Sequence, residues 1–129
     1  MALKLYHDSA GSKGDEITGG NPDEVKEAVE SGSNLVSEAV LWLESSDGTL
    51  TYENIEITKD SDSLSPAITL EYAPDSGGSA GTYVSTYEPA NGAYGTAHKF
   101  WRRVTVNNVT EAFKREDINH QVKADEYIA

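Results

Sequence analysis

His7, His98 and His120 are the side chains best suited to hold a metal or move a proton near neutral pH. They stand far apart, with no i, i+4 pair to place two imidazoles on one helix face, so a zinc site would have to be assembled by folding. A lone histidine on a strand is more often structural. Asp60-Ser-Asp62 offers two carboxylates to calcium but lacks the glycine and distal glutamate of the helix–loop–helix calcium loop, and reads as a solvated polar loop. Glu53, Glu56, Glu71 and Asp75 could furnish a carboxylate pair for glycoside hydrolysis. With seventeen carboxylates in residues 1–97, however, such proximity is expected by chance. No serine sits in Gly-x-Ser-x-Gly, and no phosphate-cradling or dinucleotide glycine motif occurs. Asn108-Val109-Thr110 matches the glycosylation triplet, which means little without secretion. Nucleophile, base and orienting acid nowhere gather, so the expectation is no enzyme, no metal and no cofactor.

Residues 98–106, His-Lys-Phe-Trp-Arg-Arg-Val-Thr-Val, carry a different chemistry. They hold three of the ten basic side chains and one of the two tryptophans. On a strand, Phe100, Arg102, Val104 and Val106 point one way and Trp101, Arg103 and Thr105 the other. If the valine face is core, the opposite face shows an indole beside a guanidinium, a pair enriched in protein-binding hot spots. Arg102 is then the odd residue. A guanidinium among core side chains demands a carboxylate partner or a place near the sheet's edge. Tyr72, Tyr83, Tyr87, Tyr94 and Trp101 crowd the second half beside glycine-rich loops. Such rings either fill a core or stack on sugars, which makes a carbohydrate- or receptor-binding module, using Trp42 or Trp101 as platform, the competing reading.

Charge sharpens the choice of partner. The 129 residues carry a net −12, but 98–115 hold five Lys/Arg against Glu111 alone, a +4 island in an acidic chain. Free nucleic acid is a poor partner for such a protein. The island suits an acidic patch on another subunit or on a second copy, unless it merely neutralises local carboxylates. Cysteine is absent, which excludes disulfides and thiolate chemistry. No apolar run approaches 18 residues, and the start, Met-Ala-Leu-Lys-Leu-Tyr-His-Asp, lacks the apolar block of a signal peptide. The expectation is synthesis in a cytoplasm, with no membrane partner.

The elements that must position these groups are mostly strands. Leu3 and Leu5 alternate with Lys4 and Tyr6. Leu35 to Glu44, Tyr52 to Thr58, Ala67 to Ala73, Thr82 to Tyr87, Phe100 to Val106 and a last strand with Ile118, His120 and Val122 follow. Ser45-Ser46-Asp47-Gly48 and Pro74-Asp75-Ser76-Gly77-Gly78 read as turns. Asn21-Pro22-Asp23-Glu24 looks like a helix start, with Val25, Ala28 and Val29 at i, i+3, i+4, and predicts one short helix near residues 22–31. The fold expected is all-β, an antiparallel β-sandwich of immunoglobulin-like or jelly-roll type. It forms a single domain over 1–129, with a loop-rich segment at 8–34 and a short C-terminal arm at 124–129.

Tyr72-Ala-Pro-Asp-Ser-Gly-Gly78, Gly81-Thr-Tyr-Val84, Lys99-Phe-Trp-Arg-Arg-Val-Thr-Val106 and Lys114-Arg-Glu-Asp-Ile118 together resemble small β-sandwich virion proteins of tailed phages. In that group an aromatic-Trp-x-Arg-Val strand precedes a Pro-Ala-Gly-like turn and a final strand opening with a basic-Asp pair. This chain departs from it with Asn107-Asn108 at the turn and Arg102 where valine is common. The resemblance implies a non-enzymatic structural subunit on a capsid, neck or tail, made in the host cytoplasm and resident in the virion. Its partners would be other virion proteins and copies of itself. The interface residues expected are Trp101, Arg103, Lys114 and Arg115, with Tyr127 and Ile128 as anchors of the arm.

Overall fold

Alternation along the two longest strands builds the centre of the molecule. The computed structural model describes residues 1–7, 17, 23–27, 33–60, 69–109, 113–118 and 120–129. Strand β3 (Ser33–Ser45) pairs antiparallel with β6 (His98–Val109), placing Leu35 opposite Val106 and Leu41 opposite Phe100. All four are essentially inaccessible to solvent, whereas Val36, Glu38, Trp101 and Arg103 face the other side. β1 (Leu3–Tyr6) adds to the far edge of β3 with Leu5 opposite Leu43, and β5 (Thr69–Pro74) adds to β6 with Leu70 opposite Val104. The result is a four-stranded antiparallel sheet in the order β1-β3-β6-β5.

Two further antiparallel pairs complete the described architecture. β4 (Leu50–Lys59) pairs with β8 (His120–Ile128), and β2 (Asp23–Glu27) pairs with β7 (Phe113–Ile118). In β4 the buried residues Tyr52, Ile55 and Ile57 do not share one parity. A bulge between Glu53 and Glu56 inserts the extra residue that returns them to one face, with Asn54 taking the positive φ of 51°. Asn tolerates that conformation better than most residues.

Residues 45–48 do turn the chain, but they do not make a hairpin. β3 pairs with β1 and β6, β4 with β8, so the turn hands the chain from one sheet to another. Asp47 Oδ1 holds it by accepting from Thr49 N (2.9 Å) and Thr49 Oγ1 (2.6 Å). Nor is Thr82–Tyr87 a continuous strand. Val84 exchanges two backbone hydrogen bonds with Tyr72 of β5, Tyr87 two with Ile57 of β4, and Gly92 two with Tyr52. That irregular run stitches the four-stranded sheet to the β4–β8 pair. The core these elements enclose includes Leu5, Leu41, Tyr52, Ile57, Tyr72, Tyr87 and Phe100, the last two stacked with ring centres 5.2 Å apart. Burying each such side chain is worth about 1.5–3 kcal/mol.

The helix near 22–31 is not formed. Asp23–Glu27 is β2, with Val25 opposite Arg115 and Glu27 opposite Phe113; residues 22 and 28–31 lie outside the described residues. The physical reason is competition. A helix of two or three turns is marginal alone, while as a strand this segment gains pairing to β7 and delivers Asp23 into the interior. The segment 8–34 therefore contains β2 and the start of β3. Residues 124–128 are likewise no detached arm. They form the second half of β8, with Leu50 opposite Ile128 and Thr51 opposite Tyr127. Of the single last strand expected, Ile118 ends β7 and His120 opens β8. Among the described residues no helix is long and apolar enough to cross a membrane.

Candidate functional site

Arg102 points inward, as its parity requires, and finds its carboxylate across 79 positions of sequence. Nε donates to Asp23 Oδ2 at 2.8 Å and Nη2 to Asp23 Oδ1 at 2.9 Å, a bidentate pair. Nη1 donates to the Ser37 carbonyl at 2.8 Å and lies 3.2 Å from its hydroxyl. Small residues make the room: Ala39 is the β3 partner of Arg102, and Ser37 lies two positions along. His120 Nε2 reaches the same Asp23 Oδ2 at 2.8 Å, and His120 Nδ1 lies 2.7 Å from the Tyr72 hydroxyl. A carboxylate only accepts, so His120 donates from Nε2; Nδ1 accepts a hydrogen bond from the Tyr72 hydroxyl when the ring is neutral and donates to it when the ring is charged. Each member of the chain Tyr72–His120–Asp23–Arg102 is thereby satisfied.

The five residues come from β2, β3, β5, β6 and β8, so a single polar cluster ties together all three sheets. Asp23, Arg102, His120, Ser37 and Tyr72 are at most 7% exposed. Burial alone would raise the Asp23 carboxyl, but the hydrogen bonds from His120 and Arg102, with their charges, outweigh it and hold the group at about 2. Burial first, then the Asp23 charge, pushes the Tyr72 hydroxyl well above its ordinary value. A Tyr–His–Asp sequence has the parts of a proton relay, but here it ends on a hydroxyl with no exposed surface, where no substrate can meet it. Its chemistry is cohesive.

On the opposite side of β6, Trp101 and Arg103 face outward as expected, though they are not bare. Trp101 Nε1 donates to Asp75 Oδ1 at 3.0 Å, and Lys99 Nζ lies 5.7 Å from the indole and 3.7 Å from the same carboxylate. The Trp101 hydrogen bond is the main reason the Asp75 carboxyl is lowered. Gly77 and Gly78, both at positive φ, turn the chain so that Asp75 can face Trp101. The Arg103 guanidinium stacks 4.1 Å from the centre of the Tyr83 ring and bonds Glu71 Oε1 at 2.9 Å. Tyr83 donates to Glu38 Oε2 at 2.5 Å, and Glu38 is the β3 partner of Arg103. The ridge is thus pre-ordered by the chain's own acids. Arg103→Glu would set a third carboxylate beside Glu38 and Glu71 and lose the ring stack. The expected cost is about 1–2 kcal/mol, read as a melting temperature about 5 °C lower, with Arg103→Lys intermediate.

No protein-family model, curated protein or solved structure matches this chain. Its site residues therefore stand on their own geometry. Lys114 and Arg115 lie on β7 opposite Lys26 and Val25, and their side chains are outside the described residues. Tyr127 and Ile128 end β8 and are 48% and 86% exposed. The structure thus brings Trp101 and Arg103 together and puts Tyr127 and Ile128 on a strand of a different sheet.

Of the histidines, His120 is spent on Asp23 and Tyr72. His98 sits 2.8 Å from the Tyr87 hydroxyl, and burial lowers its pKa. Among the described residues no three His, Asp or Glu side chains converge as metal ligands; Asp62 is outside them. Glu71 and Asp75 are committed to the ridge, whereas Glu53 and Glu56 flank the β4 bulge. A hollow of about 250 Å³ beside that bulge is lined by Asn54, Ile55, Glu56, Glu88, Pro89 and Asn91. It is smaller than the roughly 300–1,000 Å³ typical of ligand sites. Sequence reasoning missed Asp23, and weighed His120 only as a lone strand histidine. The one signal for the acid was Arg102, whose parity demanded a carboxylate partner or a place near the sheet's edge, without naming which.

Proposed function

We propose that this protein is a non-enzymatic structural subunit of a tailed-phage or related virion, an antiparallel β-sandwich of immunoglobulin-like or jelly-roll type. It assembles by protein–protein contacts on the capsid, neck or tail. The observation that carries the reading is the ordered outward ridge of Lys99, Trp101 and Arg103. It is flanked by the exposed apolar side chains Val36 and Val84, 51% and 41% accessible. An aromatic and a guanidinium held in fixed rotamers lose little entropy on docking, which is what a hot spot needs. The buried Asp23, Arg102, His120 and Tyr72 are committed to one another and serve cohesion. The setting rests on the resemblance of the motifs between Tyr72 and Ile118 to tailed-phage virion proteins, and adjacent subunits are the partners it implies.

The test is assembly of the purified full chain, followed by mass photometry and negative-stain microscopy with a glycan array alongside. Particles larger than a dimer, indifferent to sugars and lost in a still-folded Trp101→Ala protein, are the expected outcome. A chain that never exceeds a dimer and binds a glycan through Trp101 would replace the proposal with a carbohydrate-binding module.

A further inference from the structure

The outer edge of β8 is a strand edge with its hydrogen-bonding groups turned outward. Tyr52 and Ile57 of β4 spend their backbone groups on Gly92 and Tyr87, so Glu126 and Val122, which lie opposite them, bond nothing in β4. Ala129 N donates instead to Thr49 O at 2.8 Å, which sets the same phase from the other end. The one bulge of the pair lies in β4, so alternation in β8 is unbroken. Val122, Ala124 and Glu126 therefore aim N–H and C=O away from β4. Among the described residues no strand pairs with that edge.

From this edge we infer that β8 pairs antiparallel with β8 of a second copy about a two-fold axis at Ala124. A lysine on an edge strand normally discourages pairing. Here the axis at Ala124 sets Lys123 opposite Asp125 of the second copy, and the reverse, in the non-hydrogen-bonded positions where side chains approach most closely. Within its own chain Asp125 faces Glu53, a like charge, and takes one hydrogen bond from Asn54 Nδ2 at 2.8 Å. A lysine from outside relieves that repulsion. A slip of two residues in either direction removes both ion pairs, so the charges select one register. The Glu126 carboxylate does not obstruct the edge, since it is turned toward Ala2 N (3.3 Å). The same axis sets Gln121 opposite Tyr127 of the second copy. The dimer adds a named partner to the proposed assembly role and rests on it only in that copies meet. It requires no virion, so either proposal can fail alone.

The native chain has no cysteine, which makes cross-linking clean. Gln121→Cys/Tyr127→Cys should oxidise to a covalent dimer, because the two positions meet across the axis but are too far apart along β8 to join within one chain. Adding Ala124→Pro deletes an N–H that β4 does not use. It should weaken dimerisation, measured by sedimentation equilibrium, about tenfold or more while leaving the melting temperature of the isolated monomer within a few degrees. Lys123→Glu should weaken it as well, and mixing that chain with Asp125→Lys should restore pairing as a heterodimer. A native chain that stays monomeric at millimolar concentration overturns the inference, as does cross-linking indifferent to Ala124→Pro.

Discussion

Asp23→Ala will cost about 3–5 kcal/mol, the penalty for leaving a buried cation without its counter-charge. The substitution removes both Asp23 oxygens from Arg102, which is 2% exposed and still bonds Ser37, and strips His120 Nε2 of its partner. A domain of this size holds about 5–15 kcal/mol in all. Urea unfolding should therefore shift to lower denaturant by about 1.5–2.5 M, given a slope near 2 kcal/mol/M. Because Asp23 enters from β2, hydrogen exchange should show the β2–β7 pair losing protection before the four-stranded sheet. Asp23→Leu/Arg102→Met should recover much of the loss, since an apolar replacement of the whole pair carries no stranded charge. A single-mutant loss below about 1 kcal/mol would mean that Arg102 escapes to solvent and that the cluster does not hold the sheets together.

Acid should unfold the protein through the same residue. The Asp23 carboxyl is held at about 2 against an ordinary 3.8, so the unfolded state binds the proton first. A depressed carboxyl contributes its full stabilisation above about 3.8 and loses it as pH falls from there to about 2. The amount at stake is roughly 2 kcal/mol, since a separation of one pH unit between the folded and unfolded values is worth about 1.36 kcal/mol. Between pH 7 and the isoelectric point near 4.5 the opposite trend operates, because protonating exposed carboxylates relieves the self-repulsion of a −12 chain. Urea midpoints measured from pH 7 to pH 2 should hold or rise to about 4.5 and then drop steeply below about 4. Asp23→Asn, less stable throughout, should flatten the drop. A drop of equal size in that variant would place the acid sensitivity elsewhere.

The two faces of β6 were legible because period 2 needs only local sequence. Phe100, Arg102, Val104 and Val106 are buried and Trp101 and Arg103 face out, as alternation requires. The demand of Arg102 for an acid was legible for the same reason, since a guanidinium on that face has no water to solvate it. The identity of the acid was not. Twenty-two carboxylates were on offer, and the one chosen sat in a stretch whose Asn-Pro-Asp-Glu read as a helix cap. Local propensity and tertiary pairing conflicted at Asp23, and the pairing to β7 with the ion pair to Arg102 outweighed a marginal helix. The ridge was legible only in its local half. Trp101 and Arg103 were placed on the right face, but the Asp75, Tyr83, Glu71 and Glu38 that order them arrive from other segments.

What the chain's order alone determined is its all-β character, the side to which each β6 residue points, and the exclusion of thiol and disulfide chemistry. These depend on neighbours within a few positions or on composition. Which strands pair, that the Asp-Gly turn changes sheets, and that residues 23, 37, 72, 102 and 120 meet at one point were decided only in three dimensions. Their contacts span 48 to 97 positions of sequence, and no local pattern encodes the closure of loops that long.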